Sequence, residues 1–147
     1  MKGLTKLTAV SLAVAAALPI MANAEVLISE YVEGSSNNKA IELYNNSDVA
    51  IDLTGYKLVR YKDGATVAED MVVLTNSIAA KSVKVILHSS AAITVPAATD
   101  SITDNVNFNG GDAVSLLKDG VLVDVIGEIP TPTDWGKDTT FQRNLDA

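Results

Sequence analysis

Residues 40–44 read AIELY, an alternation that sends Ile41 and Leu43 to one face of an extended chain and the polar side chains to the other. A period of two is the pattern of a half-buried β-strand, because successive side chains of a strand point to opposite faces. The same period begins VKVIL at residues 83–87 and recurs in VLVDVI at residues 121–126. We therefore expect a core face formed by Ile41, Leu43, Val83, Val85, Val123 and Val125. We also expect a turn at Gly55 that requires glycine.

Short strand-like runs of this kind continue along the chain, with turn-forming residues between them. Asp119-Gly120 predicts a two-residue type I′ hairpin, because both turn positions need a positive φ that Asp and Gly tolerate. Residues 89–99 are rich in Ala and Ser, contain Pro96 and are interpreted as a long loop. Seven or more short strands without a helical period predict an all-β fold, an antiparallel β-sandwich. The expected strands lie at residues 26–32, 40–44, 56–61, 71–74, 83–87, 113–117, 121–126 and near 139–143.

The composition limits the chemistry that this chain can perform. It has 147 residues, no cysteine, one histidine and a formal net charge of −7. The absence of cysteine excludes disulfides, thiolate metal ligands and cysteine nucleophiles. An acidic chain lacks the Lys and Arg surface that displaces counterions from phosphates, so we expect no direct DNA binding. The length and composition favour a single non-catalytic domain.

The first 24 residues have the three-part pattern of a secretory signal peptide, in a form typical of bacteria. Two lysines precede an apolar stretch over residues 7–21, and the sequence ANA at 22–24 supplies small residues where a signal peptidase cuts. The apolar stretch is shorter than the ~20 residues that a membrane-spanning helix needs. We expect cleavage between Ala24 and Glu25, a mature domain over residues 25–147 without a membrane span, and a secreted or periplasmic location.

Several stretches of the mature sequence resemble the lamin-tail domain in its bacterial secreted form. ISEYVEGSSNNKAIELYN at 28–45 is similar to the opening of that domain, and IDLTGYKL at 51–58 to its next strand. FNGGDAVSL at 108–116 and VDVIG at 123–127 resemble its final hairpin. The resemblance implies an immunoglobulin-like β-sandwich without catalytic or cofactor-binding residues. The resemblance also implies a position within a longer protein, because bacterial members of the family often precede the catalytic domain of a secreted nuclease or other hydrolase.

Two functions from different classes fit these observations. The first is a non-catalytic binding module of a secreted bacterial protein, acting as a monomer on a protein or carbohydrate partner. The second is the N-terminal accessory domain of a secreted nuclease or other extracellular hydrolase whose catalytic domain is absent from this chain. For the first function, the polar loop at 34–38 is the candidate binding surface, flanked by tyrosines that offer apolar contacts. Its residues are Tyr31, Ser35, Ser36, Asn37, Asn38 and Tyr44.

The candidate catalytic side chains have simpler structural interpretations. His88 is followed by two serines, but neighbours on a strand point to opposite faces and no G-x-S-x-G turn frames either serine. We interpret His88 as a strand-end residue. Trp135 has two interpretations: it either closes the open end of the sandwich or, with Pro130 and Pro132, forms an exposed recognition patch.

Carboxylates are numerous, but their spacing matches no metal site. Glu30, Glu33 and Glu42 have no histidine partner and are interpreted as solvated or turn-bonded groups. Calcium takes oxygen ligands alone, yet the loop oxygens lack the spacing of an EF-hand, and NGGD at 109–112 is explained as a tight turn. We therefore expect no catalytic residue, no metal and no cofactor. The loop oxygens considered are those of Asp100, Asp104, Asn109, Asp112 and Asp119.

Overall fold

The computed structural model describes residues 24–130 and 133–145, and this part of the chain is built from strands. Residues 1–23 of the expected signal peptide lie outside the described residues, and its last residue, Ala24, lies within them. One turn of 3₁₀ helix at Lys62–Gly64 follows the fourth strand. The strands are β1 Val26–Glu33, β2 Lys39–Asn45, β3 Ile51–Asp52, β4 Tyr56–Tyr61, β5 Glu69–Val73, β6 Ser77–Ile78, β7 Val83–His88, β8 Ser101–Asp104, β9 Ala113–Lys118, β10 Val121–Ile126 and β11 Thr140–Gln142.

Two larger sheets and one short ribbon contain these strands. The first sheet has five strands in the order β11-β1-β2-β7-β8, and the second has four in the order β10-β9-β4-β5. Strands β3 and β6 form the ribbon. The pairings are antiparallel except that of β7 with β8, which is parallel and needs the long connection over residues 89–100. The all-β, immunoglobulin-like sandwich predicted from the sequence is confirmed.

One hydrophobic core fills the space between the two sheets. Ile41 and Leu43 of β2 have no exposed surface, as the alternation predicts, and they share the core with side chains of both sheets. Asp119 and Gly120 take φ values of 50° and 81° and join β9 to β10, so the predicted hairpin is confirmed. Gly55 has a φ of +84°, and a Cβ there would stand 2.4 Å from Asp119 Oδ1. Glycine is therefore required at this turn, as expected.

The prediction that Val83 and Val85 point into this core is wrong. In the register of β2 with β7, Ile41 lies opposite Ile86, whereas Glu42 lies opposite Val85. Residues on opposite sides of one pairing share a face, so Ile86 faces the core and Val85 faces outward. The cause is the run of apolar residues at 85–87, which covers both faces of β7 and hides the alternation.

The prediction for β10 is correct at Val123 and wrong at Val125. A bulge between Leu122 and Asp124 shifts the register with β9, and Ile126 rather than Val125 packs against the core. The bulge turns the carboxylate of Asp124 inward, where it accepts the N–H of Ile28 at 2.7 Å. A bulge adds one residue to one strand, so the alternation changes face at that point.

Candidate functional site

The outward face of the first sheet carries a partly covered groove, which we call the outer groove. Its floor consists of side chains from β1, β2 and β7, and its cover is the segment 91–99 that leads from β7 toward β8. The cavity has a volume of about 360 Å³, within the range of ligand pockets, which is roughly 300–1,000 Å³. The floor residues are Glu30, Val32, Ala40, Glu42, Val83, Val85 and Leu87.

The groove is built on a second apolar cluster, separate from the sandwich core. Ala40, Val85 and Leu87 are buried on the outward face, and Ile93 and Val95 of the cover segment pack against them. The outward face of a sandwich sheet is commonly polar, because it meets water. A covered apolar face on this side therefore marks the groove as a distinct feature of the first sheet.

The cover segment is also tied to the hairpin between β1 and β2. The Asn38 side-chain oxygen accepts the N–H of Ala92 at 2.8 Å. At the other end of the segment, Thr99 donates its N–H to the carbonyl of Pro96 at 2.9 Å. The first bond attaches the start of the segment to the hairpin, and the second forms a turn within the segment.

Two carboxylates lie side by side in the floor of the groove. A bulge at Ser29 sets the register of β1 so that Glu30 lies directly opposite Glu42. Ser29 Oγ donates a hydrogen bond to Glu42 Oε1 at 2.7 Å. Burial, and after it the charge of Glu42, raises the pKa of the Glu30 carboxyl above its ordinary value. Within residues 24–130 and 133–145, neither carboxylate has an ion-pair partner.

The residues predicted to form a binding surface around the loop at 34–38 are not brought together. Ser35, Ser36 and Asn37 are exposed at the tip of the hairpin, but Tyr31 has no exposed surface. It lies on the core face opposite Ile41, with its ring centroid 4.8 Å from that of Phe108. The expectation that Tyr31 offers a contact at the loop is therefore wrong.

The other two members of that predicted surface also have different positions. Asn38 is half-buried and its side chain holds the cover segment, as described above. Tyr44 is half-buried at the far end of β2, opposite Val83. It lies six positions along the chain from Asn38, which corresponds to about 20 Å in an extended strand. Of the six residues of the predicted surface, Ser35, Ser36 and Asn37 at the hairpin tip are the exposed ones.

The base of the same hairpin is fixed by a buried ion pair. Lys39 Nζ pairs with Glu33 and also donates to the carbonyl of Gly34. The second oxygen of Glu33 accepts the N–H of Asp138. Glu33 and Lys39 are both buried, so Glu33 is a structural group rather than a solvated one.

Two further candidate groups, His88 and Asp112, have structural partners. His88 Nδ1 accepts the N–H of Ser90 at 3.0 Å at the end of β7. Asp112 is fully buried and accepts the N–H groups of Asp63 and Asn109 at 2.8 and 3.0 Å, which closes the NGGD turn. In the part of the chain that the structure describes, no three His, Cys, Asp or Glu side chains are grouped to hold a metal ion.

Trp135 packs against the sandwich core, in line with the first of its two interpretations. Its ring centroid lies 5.2 Å from that of Tyr31 and 5.4 Å from that of Phe141. Beneath it, a Cβ at Gly127 would stand 2.7 Å from the indole ring. Trp135 is thus held between the core and β11.

Sequence reasoning missed the outer groove, although two signals point to it. The run of apolar residues at 85–87 gives β7 an outward apolar face that needs a cover. Ile93 and Val95 then alternate within a loop that is otherwise small and polar, which supplies that cover. The opposition of Glu30 and Glu42 has no local signal, because it depends on the bulge at Ser29.

Comparison with known families agrees with this architecture. Residues 19–129 match the sequence model of the Lamin Tail Domain family, and none of the curated proteins matches the sequence. Among the described residues, no helix is long and apolar enough to cross a membrane. The matched domain is an immunoglobulin-like fold compatible with a non-catalytic interaction module. With more than half of its length matched, the chain belongs to the lamin tail domain family.

Proposed function

We propose that this chain is a non-catalytic binding module of a secreted bacterial protein and that it binds a protein partner in the outer groove. The observation that carries the proposal is the covered apolar floor on the outward face of the first sheet. Ligand sites are mostly apolar concavities with a few convergent polar groups. The groove has this composition, with Val85 and Leu87 as apolar floor and Glu30 and Glu42 as polar groups.

The secreted location rests on the pattern of residues 1–24, and the fold is compatible with it. Strand β1 begins at Val26, one residue after the expected cleavage position. Glu25 is exposed, and its carbonyl accepts the N–H of Asn46 at 2.7 Å. Cleavage between Ala24 and Glu25 therefore leaves the described strands β1 to β11 intact.

A protein partner fits the groove better than DNA or a carbohydrate. Two carboxylates in the floor repel phosphate groups, so the proposal excludes DNA as the ligand. The lining residues include no aromatic side chain on which a sugar ring could stack. Apolar side chains and a positive charge on a protein segment match the floor.

The test is a binding measurement on the secreted protein. The full chain is expressed with its leader in a bacterium, and mass spectrometry of the exported product is expected to show Glu25 at its N-terminus. Capped tripeptides that differ only in a central Lys, Arg, Glu, Leu or Tyr are then titrated into the labelled protein. We expect at least one of them to shift the NMR signals of Ala40, Val85 and Leu87.

Four outcomes contradict the proposal. Shifts confined to the hairpin tip at 34–38 place the binding surface elsewhere, and no shift with any tripeptide removes the groove as a binding site. Hydrolysis of DNA or of another polymer that copurifies with the protein and disappears on Glu30→Gln makes the chain an enzyme. Retention of the first 24 residues contradicts the secreted location.

A further inference from the structure

The floor of the outer groove is organised in rows that run across β1, β2 and β7. One row contains Val32, Ala40 and Leu87, and the next contains Glu30, Glu42 and Val85. The acidic pair thus stands beside an apolar row rather than at an open edge. A ligand that covers this floor meets aliphatic surface and negative charge within about 7 Å, the distance between residues i and i+2 of one strand.

Among the described residues, no positively charged side chain forms an ion pair with Glu30 or Glu42. The cover segment, residues 91–99, contains no charged side chain. The lysine nearest along the strand, Lys84, lies on the other face of β7 and pairs with Asp100 at 2.6 Å. Like charges directly opposite each other in a sheet are unfavourable. A bound cation removes this repulsion. The acidic pair of the free protein is therefore complementary in charge to a cation.

The geometry of Glu42 favours an ammonium over a guanidinium. Ser29 Oγ already occupies Glu42 Oε1, so this carboxylate has only one oxygen without a protein donor. An arginine fork binds best to both oxygens of one carboxylate, whereas an ammonium is a compact charge with three rotatable donors. It can donate to Glu30 and Glu42 together.

The size of the groove favours a side chain carried on a protein segment. A cavity of ~150 Å³ holds benzene, which has six heavy atoms. The outer groove, at about 360 Å³, is more than twice that size. A lysine side chain, with five heavy atoms beyond Cα, fills only part of it, and flanking residues of the same segment fill the remainder.

We infer that the outer groove binds a lysine side chain of a partner protein, with the aliphatic stem on Val85 and Leu87 and the ammonium between Glu30 and Glu42. This inference rests on the proposed function, because it names the ligand of the same groove. It assigns the acidic pair a role that neither the fold nor the core requires.

The test compares central residues within one capped tripeptide. Acetyl-Ala-Lys-Ala-amide is titrated against versions in which norleucine, Nε-acetyllysine or arginine replaces the lysine, and against free 1,5-diaminopentane. We expect the lysine peptide to shift the amide signals of Glu30, Glu42 and Val85. The two neutral analogues are expected to bind at least tenfold more weakly, and added salt is expected to weaken the lysine peptide.

Variants separate the charge of the pair from the fold. Glu30→Gln with Glu42→Gln keeps the size of both side chains and is expected to weaken the lysine peptide at least tenfold. The matched control is Glu69→Gln on β5, which removes an exposed carboxylate paired with Arg60 in the second sheet. It is expected to change the affinity less than twofold. A spectrum that is unchanged away from the substituted residues confirms that each variant is folded.

The outcomes distinguish this inference from the proposed function. Equal affinity for the lysine and norleucine peptides, or tighter binding of the arginine peptide, overturns the assignment of lysine while the groove remains a binding site. Diamine binding as tight as that of the lysine peptide overturns the protein source. If no tripeptide of either set reaches the groove, the proposed function itself is wrong.

Discussion

Replacing Glu30 by glutamine is expected to stabilise the free protein at neutral pH. The substitution removes one of two like charges that face each other across β1 and β2. Cross-strand pairs of this kind contribute roughly 0.2–1 kcal/mol, and like charges destabilise. For a domain of this size that gain corresponds to a rise in Tm of about 1–5 °C.

The stability gained on Glu30→Gln depends on pH, and the raised pKa of Glu30 determines the direction of that dependence. Burial and the neighbouring Glu42 raise the pKa of Glu30 above 4.5, so the folded protein holds this proton more tightly than the unfolded chain does. The stability that Glu30 contributes is therefore fully present below its unfolded pKa and is lost as the pH rises through the raised value. Glutamine carries no charge at any pH, and its advantage over Glu30 is largest at pH 7 and absent near pH 3.5.

Urea unfolding at pH 7 and at pH 3.5 measures this difference. Glu42→Gln is expected to give a gain of the same sign, and the double variant little more than either single variant, because one substitution already removes the repulsion. Glu69→Gln, which loses only an exposed ion pair, is expected to change the free energy of unfolding by less than ~0.5 kcal/mol. Destabilisation by Glu30→Gln at pH 7, or an equal gain at both pH values, refutes the reasoning.

Three further substitutions test the sandwich by urea unfolding. Leu43→Ala removes a side chain without exposed surface and should cost about 2–5 kcal/mol, and a loss below ~1 kcal/mol contradicts its place in the core. Asp124→Ala removes the carboxylate that accepts the N–H of Ile28 at 2.7 Å, and we expect it to cost about 1.5–3 kcal/mol. An unchanged free energy of unfolding contradicts the presence of that bond. Gly127→Ala forces a φ of +90° on alanine and puts a Cβ 2.7 Å from Trp135, so we expect lower stability and altered Trp fluorescence, and a neutral result contradicts this packing.

The parts of the fold that sequence predicts well are those decided by neighbouring residues. The alternation around Ile41 and Leu43 needs only the period of a strand, and Asp119-Gly120 needs only local backbone preferences. The long loop at 89–99 also follows from local composition. In each case the structure agrees, because tertiary contacts reinforce the local preference.

The errors arise where a partner strand decides the outcome. Val85 lies within an apolar run that does not reveal which face is outward, and only the pairing with β2 settles it. The bulge before Asp124 moves the later residues of β10 to the opposite face of the sheet, and no residue type in VLVDVI indicates that bulge. Proximity in sequence predicts Tyr31 beside the polar loop at 34–38, whereas its register opposite Ile41 buries it.

The candidate site could not be predicted for the same reason. Glu30 and Glu42 belong to different strands, and the bulge at Ser29 determines that they meet. A shift of one residue in the register would turn one of them to the core face, where an unpaired carboxylate is costly. The acidic pair is therefore a property of the register, and the sequence alone contains only its two members.

Glu30→Gln is expected to have opposite effects on the stability of the free protein and on that of the protein with bound lysine peptide. In the free state, Glu30→Gln removes a repulsion and raises stability. In the presence of the lysine peptide, the native protein gains RT ln(1 + [L]/Kd) from binding, about 2.7 kcal/mol at a concentration of 100 Kd. If the variant's Kd is tenfold larger, it keeps about 1.4 kcal/mol of that gain, and the loss of about 1.3 kcal/mol exceeds the roughly 0.2–1 kcal/mol gained without peptide. A Tm that is higher than wild type without peptide and lower with it identifies a charge pair retained for binding, whereas a purely structural pair shifts both states alike.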